Sequence, residues 1–394
     1  MKQFEIAADL QQTLVDHFSG LHSGGGRSSI AGGQSAADSA LLQLDISGYA
    51  KNRSEVLPVR ARGASVLSPY IRHNIITLQQ AWDRVAKAPV ADRDKFRDEL
   101  LWQEYARHLY ARLGRRLFEN LRFEQAWDQA GDGWPKGMAC VDFVVDELES
   151  DGWLVNQTRM WLASQWTVRN QAGWLHGQER MFRELIDGSR AANLLGWQWT
   201  VGSGSGKPYG FARWQVEKRA PGLCGGCALK QKCPIQNFPE EIELAETSFE
   251  PLLLSDSNPD QTAGPLLAIK KRPPEMVLLT IDSLGDGDPA LTANPTLPAV
   301  FIFDENALRK LQLSSKRIFF YLEVLQDLGR RREVLVHLGD PAKFSREHSL
   351  AVTYAPVPSF AKYHDLAEIH PYPWLKKPHA SSLRSFSAWR GKLK

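Results

Sequence analysis

Residues 185–199 read LIDGSRAANLLGWQW, and the interpretation of the whole chain starts from this stretch. Taken alone, it predicts an ordinary helix with packed tryptophans. The prediction of helix extends to the neighbouring sequence, because few strand patterns occur between residues 37 and 200. Segments 95–113 and 141–148 there place apolar residues at helical spacing. We therefore predict a large all-helical domain around residues 185–199.

The sequence pattern changes at Glu275. Two short apolar runs rich in β-branched or aromatic residues, MVLLTID (276–282) and AVFIFD (299–304), predict strands. A helix is predicted to begin at Ser314 or Ser315, and further strands are predicted at 333–338 and 351–356. Strands that alternate with helices indicate a small parallel α/β, Rossmann-like domain, so the fold class is multi-domain α and α/β.

Length and composition limit the class of protein. The chain has 394 residues, of which 43% are hydrophobic and 24% charged, which is ordinary for a globular protein and argues against a disordered chain or a fibre. No apolar run approaches the ~18 residues of a membrane span, and the first ten residues mix charged with apolar side chains, so we expect a cytoplasmic protein without a signal peptide. The net charge of +3 neither requires nor excludes nucleic acid.

Composition shifts divide the chain into four predicted segments. Residues 1–36 form an N-terminal segment with a Gly/Ser-rich loop, whose loop character extends from residue 22 to 39. Residues 37–250 form the helical domain, and the Pro-, Ser- and Asp-containing residues 251–274 form a linker. Residues 275–394 form the α/β domain, which ends in a basic tail that is either solvated or in contact with phosphates.

All four cysteines fit one metal site. Cys224, Cys227 and Cys233 form a C-x2-C-x5-C arrangement, and Cys140 is the fourth thiol in the chain. Four thiolates suit a four-thiolate iron–sulfur cluster or a zinc site, and the spacing favours the cluster, since structural zinc usually pairs two short Cys pairs. The alternative interpretation is a set of small buried thiols.

Several motifs in order resemble the FAD-binding domain of the photolyase/cryptochrome family. They are GASVLSPYIRH from Gly63, ELLWQEY (99–105), DGWLVNQTRMWLAS (151–164), W-x2-G at 174–177 and the quoted stretch 185–199. The resemblance covers about residues 40–215 and implies that FAD is the cofactor. It implies that the cofactor-binding residues are Tyr49, Ser65, Leu67, Ser68, Asn156, Arg159, Asp187 and Asn193, with Asn193 beside flavin N5.

The chain departs from the family pattern at three cofactor positions. The usual Thr is Ala64, the usual Arg after the tryptophan of ELLWQEY is Gln103, and the second Asp of the D-x-D motif is Ser189. Each departure removes a cofactor contact, so we expect FAD to bind more weakly or slightly differently.

The resemblance also implies a pocket for a flipped cyclobutane pyrimidine dimer. Its residues are Arg53, Glu99, Trp102, Asn156, Met160 and Trp199, with Gln157 where dimer-repairing relatives carry Arg. Indole faces stack on flipped bases, and the Glu and Asn side chains suit the polar base edges. The alternative for the two tryptophans is that they are core aromatics.

The implied activity is light-driven electron transfer from reduced flavin to the dimer in DNA. Trp197 and Trp174 match two members of the family's electron-relaying tryptophans, and no third is assigned. The predicted enzyme is therefore a deoxyribodipyrimidine photo-lyase. The alternatives are a cryptochrome-like blue-light photoreceptor that acts on a signalling partner without repair, and a flavoprotein with only a structural or redox role.

Two further features are implied by resemblance. KGMAC (136–140) and the CGGC region resemble the iron–sulfur bacterial cryptochromes and photolyases, which favours a 4Fe–4S cluster over zinc. The α/β segment, with DPAL at 288–291, resembles the family's N-terminal domain but comes last, so the domain order looks circularly permuted. The Arg-rich motif that opens this domain is missing at 278–286, which argues against an antenna chromophore.

Overall fold

The computed structural model describes residues 1–247, 251–363 and 367–393 of the chain. These residues form a large helical part and a six-stranded sheet with flanking helices. The predicted combination of a helical domain with an α/β domain is confirmed.

Eleven α-helices precede residue 247 among the described residues. They are α1 (Leu10–Phe18), α2 (Gln34–Leu42), α3 (Tyr49–Asn52), α4 (Ser68–Arg72), α5 (Leu78–Arg84), α6 (Val90–Leu113), α7 (Ala139–Asp151), α8 (Asn156–Ser164), α9 (Trp174–Glu184), α10 (Arg190–Val201) and α11 (Arg213–Arg219). Both helical segments predicted from periodicity are confirmed, as α6 and α7. The helix α2 begins inside the stretch predicted as a loop, because Ser35 is anchored by Asp327, whose carboxylate oxygens accept from the Ser35 hydroxyl at 2.7 Å and from its N–H at 3.2 Å.

Helix α10 contains most of the stretch 185–199, and particular residues define where the helix begins and ends. The Ser189 hydroxyl accepts a hydrogen bond from the Ala192 N–H at 3.3 Å, which caps the first turn. Gly202 adopts a left-handed conformation with φ of 89°, which ends the helix.

The six strands form one mixed sheet. They are β1 (Lys2–Phe4), β2 (Met276–Leu279), β3 (Ala299–Asp304), β4 (Val334–Gly339), β5 (Leu350–Thr353) and β6 (Ala367–His370), in the spatial order β1-β4-β3-β2-β5-β6. Strands β2 to β6 run parallel, and β1 pairs antiparallel with β4. The parallel part of the sheet starts at the central strand β2, continues through β3 to β4 on one side and then crosses to β5 and β6 on the other, which is the doubly wound arrangement. The predicted α/β domain is confirmed, whereas β1 and β6 were not predicted.

Six helices follow residue 251 in the described residues. They are α12 (Pro259–Ala263), α13 (Pro289–Ala293), α14 (Glu305–Leu311), α15 (Ser315–Leu328), α16 (Pro341–Glu347) and α17 (Phe386–Arg390). Helix α15 begins after Ser314, whose hydroxyl accepts from the Lys316 N–H at 3.4 Å, so the predicted helix start is confirmed.

Both ends of the chain pack against distant segments. Phe4, Leu14 and Phe18 share a buried apolar cluster with Phe303 and Ile318 of the α/β part. The C-terminal helix α17 lies against α6, and the segment predicted as a linker contains α12. The predicted domain boundaries remain a prediction, and the one at residue 250 lies outside the described residues.

Across the described ranges, no helix combines the length and the hydropathy that crossing a membrane requires.

Candidate functional site

A cavity of about 990 Å³ lies between the helical part and the carboxyl ends of β2 and β3. In doubly wound sheets, ligands bind at the carboxyl ends of the strands. Most residues that the sequence analysis assigned to cofactor and substrate line this cavity. They are Tyr49, Arg53, Ser65, Leu67, Ser68, Glu99, Trp102, Asn156, Arg159, Met160, Asp187, Asn193, Trp197 and Trp199.

Helical spacing explains how these residues meet. Side chains three or four positions apart share one face of a helix, which joins Glu99 with Trp102 on α6 and Asn193 with Trp197 on α10. The two helices pack against each other. The cavity therefore collects residues that are almost a hundred positions apart in sequence.

Asp187 is the buried acid of the cavity wall. Its side-chain Oδ2 accepts from Arg159 Nη2 at 2.7 Å, and Arg159 Nε donates to the Leu154 carbonyl at 3.0 Å. The other carboxylate oxygen, Oδ1, is buried and has no hydrogen-bond donor among the described residues. A buried acceptor without a donor is costly, so the cavity is suited to a ligand that brings an N–H or O–H group to Asp187.

Asn193 is held by its amide nitrogen. Its Nδ2 donates to the backbone carbonyl of Gln178 at 3.1 Å and to Gln178 Oε1 at 3.0 Å. These contacts leave the Asn193 carbonyl oxygen as an acceptor for a bound molecule in the cavity.

The cavity lining also includes hydroxyl groups. Ser68 begins α4, and its Oγ accepts from Trp153 Nε1 at 2.9 Å. Burial raises the pKa of the Tyr49 hydroxyl, which therefore stays protonated and able to donate. Hydroxyl donors of this kind are what a pyrophosphate requires.

Glu99 stands in a charged group at the edge of the cavity. Its carboxylate lies 3.4 Å from Arg53 Nε and 2.8 Å from Lys95 Nζ. The Arg53 and Glu99 side chains are each 34% exposed, so both charges keep contact with solvent. The pair can turn toward an incoming polar ligand at small cost, since exposed ion pairs are weak.

The two tryptophans assigned to stacking differ in their surroundings. Trp199 is 41% exposed and leans on Tyr209, with ring centroids 5.3 Å apart. Trp102 is partly buried, and one face is covered by Phe386 of α17, with centroids 4.0 Å apart and ring planes at 10°. Both indoles line the cavity, so each has surface available for an aromatic ligand.

Helix α8 contributes polar side chains to the lining of the cavity. Asn156 Nδ2 approaches Met160 Sδ at 3.7 Å, a weak contact that a better acceptor can replace. Gln157, which stands where dimer-repairing relatives carry Arg, donates to the Tyr209 hydroxyl at 3.3 Å.

The three departures from the family's cofactor pattern also line the cavity. Ser189 has a structural role as the cap of α10, and Ala64 and Gln103 belong to the wall. The cap leaves the Ser189 hydroxyl engaged with the backbone of its own helix.

The two predicted relay tryptophans are both buried. Trp197 lines the cavity and is 2% exposed, whereas Trp174 is absent from the described lining and donates to Asn120 Oδ1 at 3.4 Å. Sequence reasoning missed Trp166. A methyl group added at Gly177 would come within 2.4 Å of Trp197 and 2.6 Å of Trp166, so these two rings are neighbours.

The row of tryptophans continues beyond Trp166. Trp134 packs edge-on against Trp166 with centroids 5.3 Å apart, and the Arg180 guanidinium lies 5.0 Å from the Trp134 ring. Trp134 is 9% exposed, so all three rings of this row are buried. The spacing of these residues in sequence carries no signal that they touch.

The four cysteines line a second, small cavity of about 20 Å³. Burial, and to a smaller extent the neighbouring cysteines, raise the pKa of the Cys140 thiol to about 12. Cys140 thus lies near the C-x2-C-x5-C segment. Within the ranges that the structure describes, however, no group of three or more His, Cys, Asp or Glu side chains is placed to hold a metal ion.

Part of the chain is similar to known proteins. Residues 96–216 match the family described as the FAD binding domain of DNA photolyase. The chain is similar to a deoxyribodipyrimidine photo-lyase of Synechococcus sp. (30% identity over 163 residues, 36% of this chain and 33% of the relative) and to one of Vibrio cholerae (29% over 201 residues, 44% and 42%). A class III photolyase structure from Agrobacterium tumefaciens is 27% identical with a TM-score of 0.41, covering 48% of this chain and 42% of that one.

Residues 96–216 of the helical part are thus similar to an FAD-binding domain of the photolyase type. Over this part of the chain, the similarity is to members of the photolyase family. The chain spans about a third to two fifths of the length of the two curated relatives above.

Proposed function

We propose that this protein is a flavin-dependent photolyase that splits cyclobutane pyrimidine dimers in DNA under light. One observation carries the proposal: the cofactor residues, among them Asp187 and Asn193, and the lesion residues, among them Trp102 and Trp199, line the same cavity. A molecule bound at the first group would therefore lie next to a molecule bound at the second.

The residues at the cofactor position suit FAD. Asp187 lacks a donor for Oδ1, and Asn193 has an acceptor oxygen available, so together they select a ligand with a donor at its polar ring edge. Arg159 fixes Asp187, and Tyr49 and Ser68 supply hydroxyls for the phosphates. Bound FAD, when reduced and excited by light, would lend the dimer one electron, which opens the cyclobutane ring and then returns to the flavin.

The residues at the lesion position suit two unpaired bases. Trp199 and the uncovered face of Trp102 offer stacking surfaces, each worth ~1–3 kcal/mol per base. Glu99 and Asn156 present an acceptor and an amide to the polar edges of the bases. Arg53 is close enough to Glu99 to orient its carboxylate or to meet a phosphate.

The rows of tryptophans support electron transfer to the cavity. We propose that Trp197 receives electrons from Trp174 and, by a second route, from Trp166 and Trp134. If the second route carries electrons, Trp166→Phe slows photoreduction of the bound flavin at least two-fold, and Trp166→Phe with Trp174→Phe slows it further. Equal photoreduction rates in the parent and Trp166→Phe would leave Trp174 as the route.

The repair proposal is tested with purified, flavin-loaded and reduced protein. An oligonucleotide with a thymine dimer is incubated in blue light and in darkness, and the remaining dimer is measured. We expect light-dependent loss of dimer, a loss of rate of ten-fold or more in Trp199→Ala, and an unchanged rate in Trp214→Ala. Trp214 is the matched control, since it is 52% exposed and outside the described cavity lining.

No loss of dimer in the reduced parent would overturn repair. Light-driven flavin reduction without any loss of dimer would instead support the photoreceptor alternative. Retained repair in Trp199→Ala with unchanged affinity for the dimer would show that this tryptophan is a surface aromatic.

We also propose that the four cysteines bind a 4Fe–4S cluster. Their common cavity and their chemistry support this, because four thiolates complete such a cluster. The thiols would have to turn toward one another on binding, since metal sites form together with their metal. Iron and sulfide analysis with visible absorbance is the test: Cys227→Ala should abolish the signal, and zinc without iron in the parent would overturn the cluster.

A further inference from the structure

The C-terminal helix α17 contacts the back of the lesion pocket. Phe386 lies flat on Trp102, with ring centroids 4.0 Å apart and an interplanar angle of 10°. Trp102 lines the cavity, whereas Phe386 is not among the described lining residues. Phe386 therefore covers the face of the indole that points away from the cavity.

Helix α17 is held in place on both sides of Phe386. Trp389 is fully buried and donates from Nε1 to His108 Nδ1 at 2.9 Å, and Arg390 Nη1 contacts Asp98 Oδ1 at 2.6 Å. Just before the helix, the Leu383 carbonyl accepts from the Tyr105 hydroxyl at 2.6 Å. The partners of these anchors all belong to α6, the helix that carries Trp102.

The orientation of Trp102 depends on this arrangement. An indole on a helix surface has several rotamers, and a ring packed flat against it selects one of them. Tyr105 adds an edge contact at 5.8 Å and 80°. With one face covered, the indole presents only its other face to the cavity.

We propose that Phe386 is a positioning residue that fixes Trp102 for stacking on the flipped base. The proposal rests on the proposed repair function. The base, Trp102 and Phe386 form a three-layer stack, so the C-terminal segment contributes to lesion recognition without touching the lesion.

The test uses the full-length, flavin-loaded protein in darkness. Affinities are measured for a thymine-dimer oligonucleotide and for the undamaged oligonucleotide, in the parent and in Phe386→Leu, Phe386→Tyr and Phe344→Leu. We expect Phe386→Leu to weaken dimer binding about two- to ten-fold and to leave the undamaged affinity and the flavin content unchanged. Phe386→Tyr keeps the flat ring and should restore the parent affinity.

Phe344→Leu is the matched control, because Phe344 is similarly buried in α16 and lies outside the described cavity lining. A double-mutant cycle adds a readout that general destabilisation does not move: in Trp102→Ala, the change at Phe386 should have no further effect. Equal dimer affinity in Phe386→Leu and the parent, or additive effects in the cycle, would overturn the proposal. A parent that does not distinguish dimer from undamaged DNA would overturn the proposed function and this inference with it.

Discussion

The large cavity that Asp187 and Asn193 line, called the flavin cavity below, and the small cavity that the four cysteines line, called the cysteine cavity, follow from two sequence predictions. The two cavities differ in how far their side chains are already positioned for a ligand. In the flavin cavity, Asp187 and Asn193 are already held by Arg159 and Gln178 and still have an acceptor to offer. In the cysteine cavity, the thiols lie around one small space, and no group in the described part of the chain is arranged to hold a metal.

The difference teaches where the shape of each site comes from. Buried helices and their side-chain contacts define the flavin cavity, so its geometry belongs to the protein alone. Thiols on a Gly-rich loop have few such contacts, and metal ligands commonly reach their final positions only with the metal. The comparison implies that the flavin cavity depends on its supporting contacts and is independent of the cysteines.

The largest expected effect is at the buried acid. Asp187→Asn removes the charge that pairs with Arg159 and leaves that guanidinium without its partner. We expect flavin affinity to fall by about 3 kcal/mol, roughly a hundred-fold. The measurement is the dissociation constant for FAD by flavin fluorescence.

Glu305→Gln is the matched control for Asp187. Glu305 pairs with Arg309 at 2.9 Å on an exposed helix, so its loss should change flavin affinity by less than two-fold. Unchanged affinity in Asp187→Asn would show that the cavity does not use this carboxylate and would remove one side of the comparison.

The next effect concerns a contact between the two parts of the protein. Arg317 of α15 is fully buried, and its guanidinium donates to the carbonyls of Phe182 and Leu185, the latter at 2.7 Å from Nε. Its ring-face contact with Phe182 is 4.6 Å, and burial lowers its pKa to about 10. The α/β part thus supports the turn that leads to Asp187.

Arg317→Met should lower the free energy of unfolding by about 2 kcal/mol, because two buried carbonyls lose their donor. Flavin affinity should fall a few-fold as the turn before Asp187 loosens. Denaturant unfolding followed by circular dichroism measures the first effect. The exposed Arg309→Met serves as control and should cost less than about 0.5 kcal/mol; equal losses in both variants would contradict the support assigned to Arg317.

The sequence predicted those parts of the fold whose signals are local. The strand at 299–304 appears with the predicted bounds, and most of the stretch 185–199 lies in the capped helix α10, with Asn193 and Trp197 on one face. A three-residue edge strand such as β1 is too short to show alternation, so it gave no signal. Its place in the sheet follows from its pairing with β4.

The sequence predicted the site residues that belong to a motif. It did not predict the residues whose place in the site depends on contact between distant segments. The sequence of the basic tail did not predict that Phe386 packs against Trp102. That contact depends on anchors between distant segments, such as the ion pair of Arg390 with Asp98. The neighbouring rings of Trp197 and Trp166 depend on the absence of a side chain at Gly177. The cysteine spacing predicted that the thiols lie close together, but it carries no signal for the direction in which each thiol points.

The smallest expected effect is the sharpest test of independence between the two cavities. Cys224→Ala removes a partly exposed thiol that lines only the cysteine cavity among the described residues. We expect flavin affinity to change by less than two-fold, since no supporting contact of Asp187 or Asn193 involves this loop. Cys140→Ala is the stricter companion, because Cys140 is buried in α7 and its loss also leaves a small cavity. Release of the flavin in either variant, with an unchanged far-ultraviolet circular dichroism spectrum, would show that the two sites are coupled. The geometry of the flavin cavity would then depend in part on the cysteine loop.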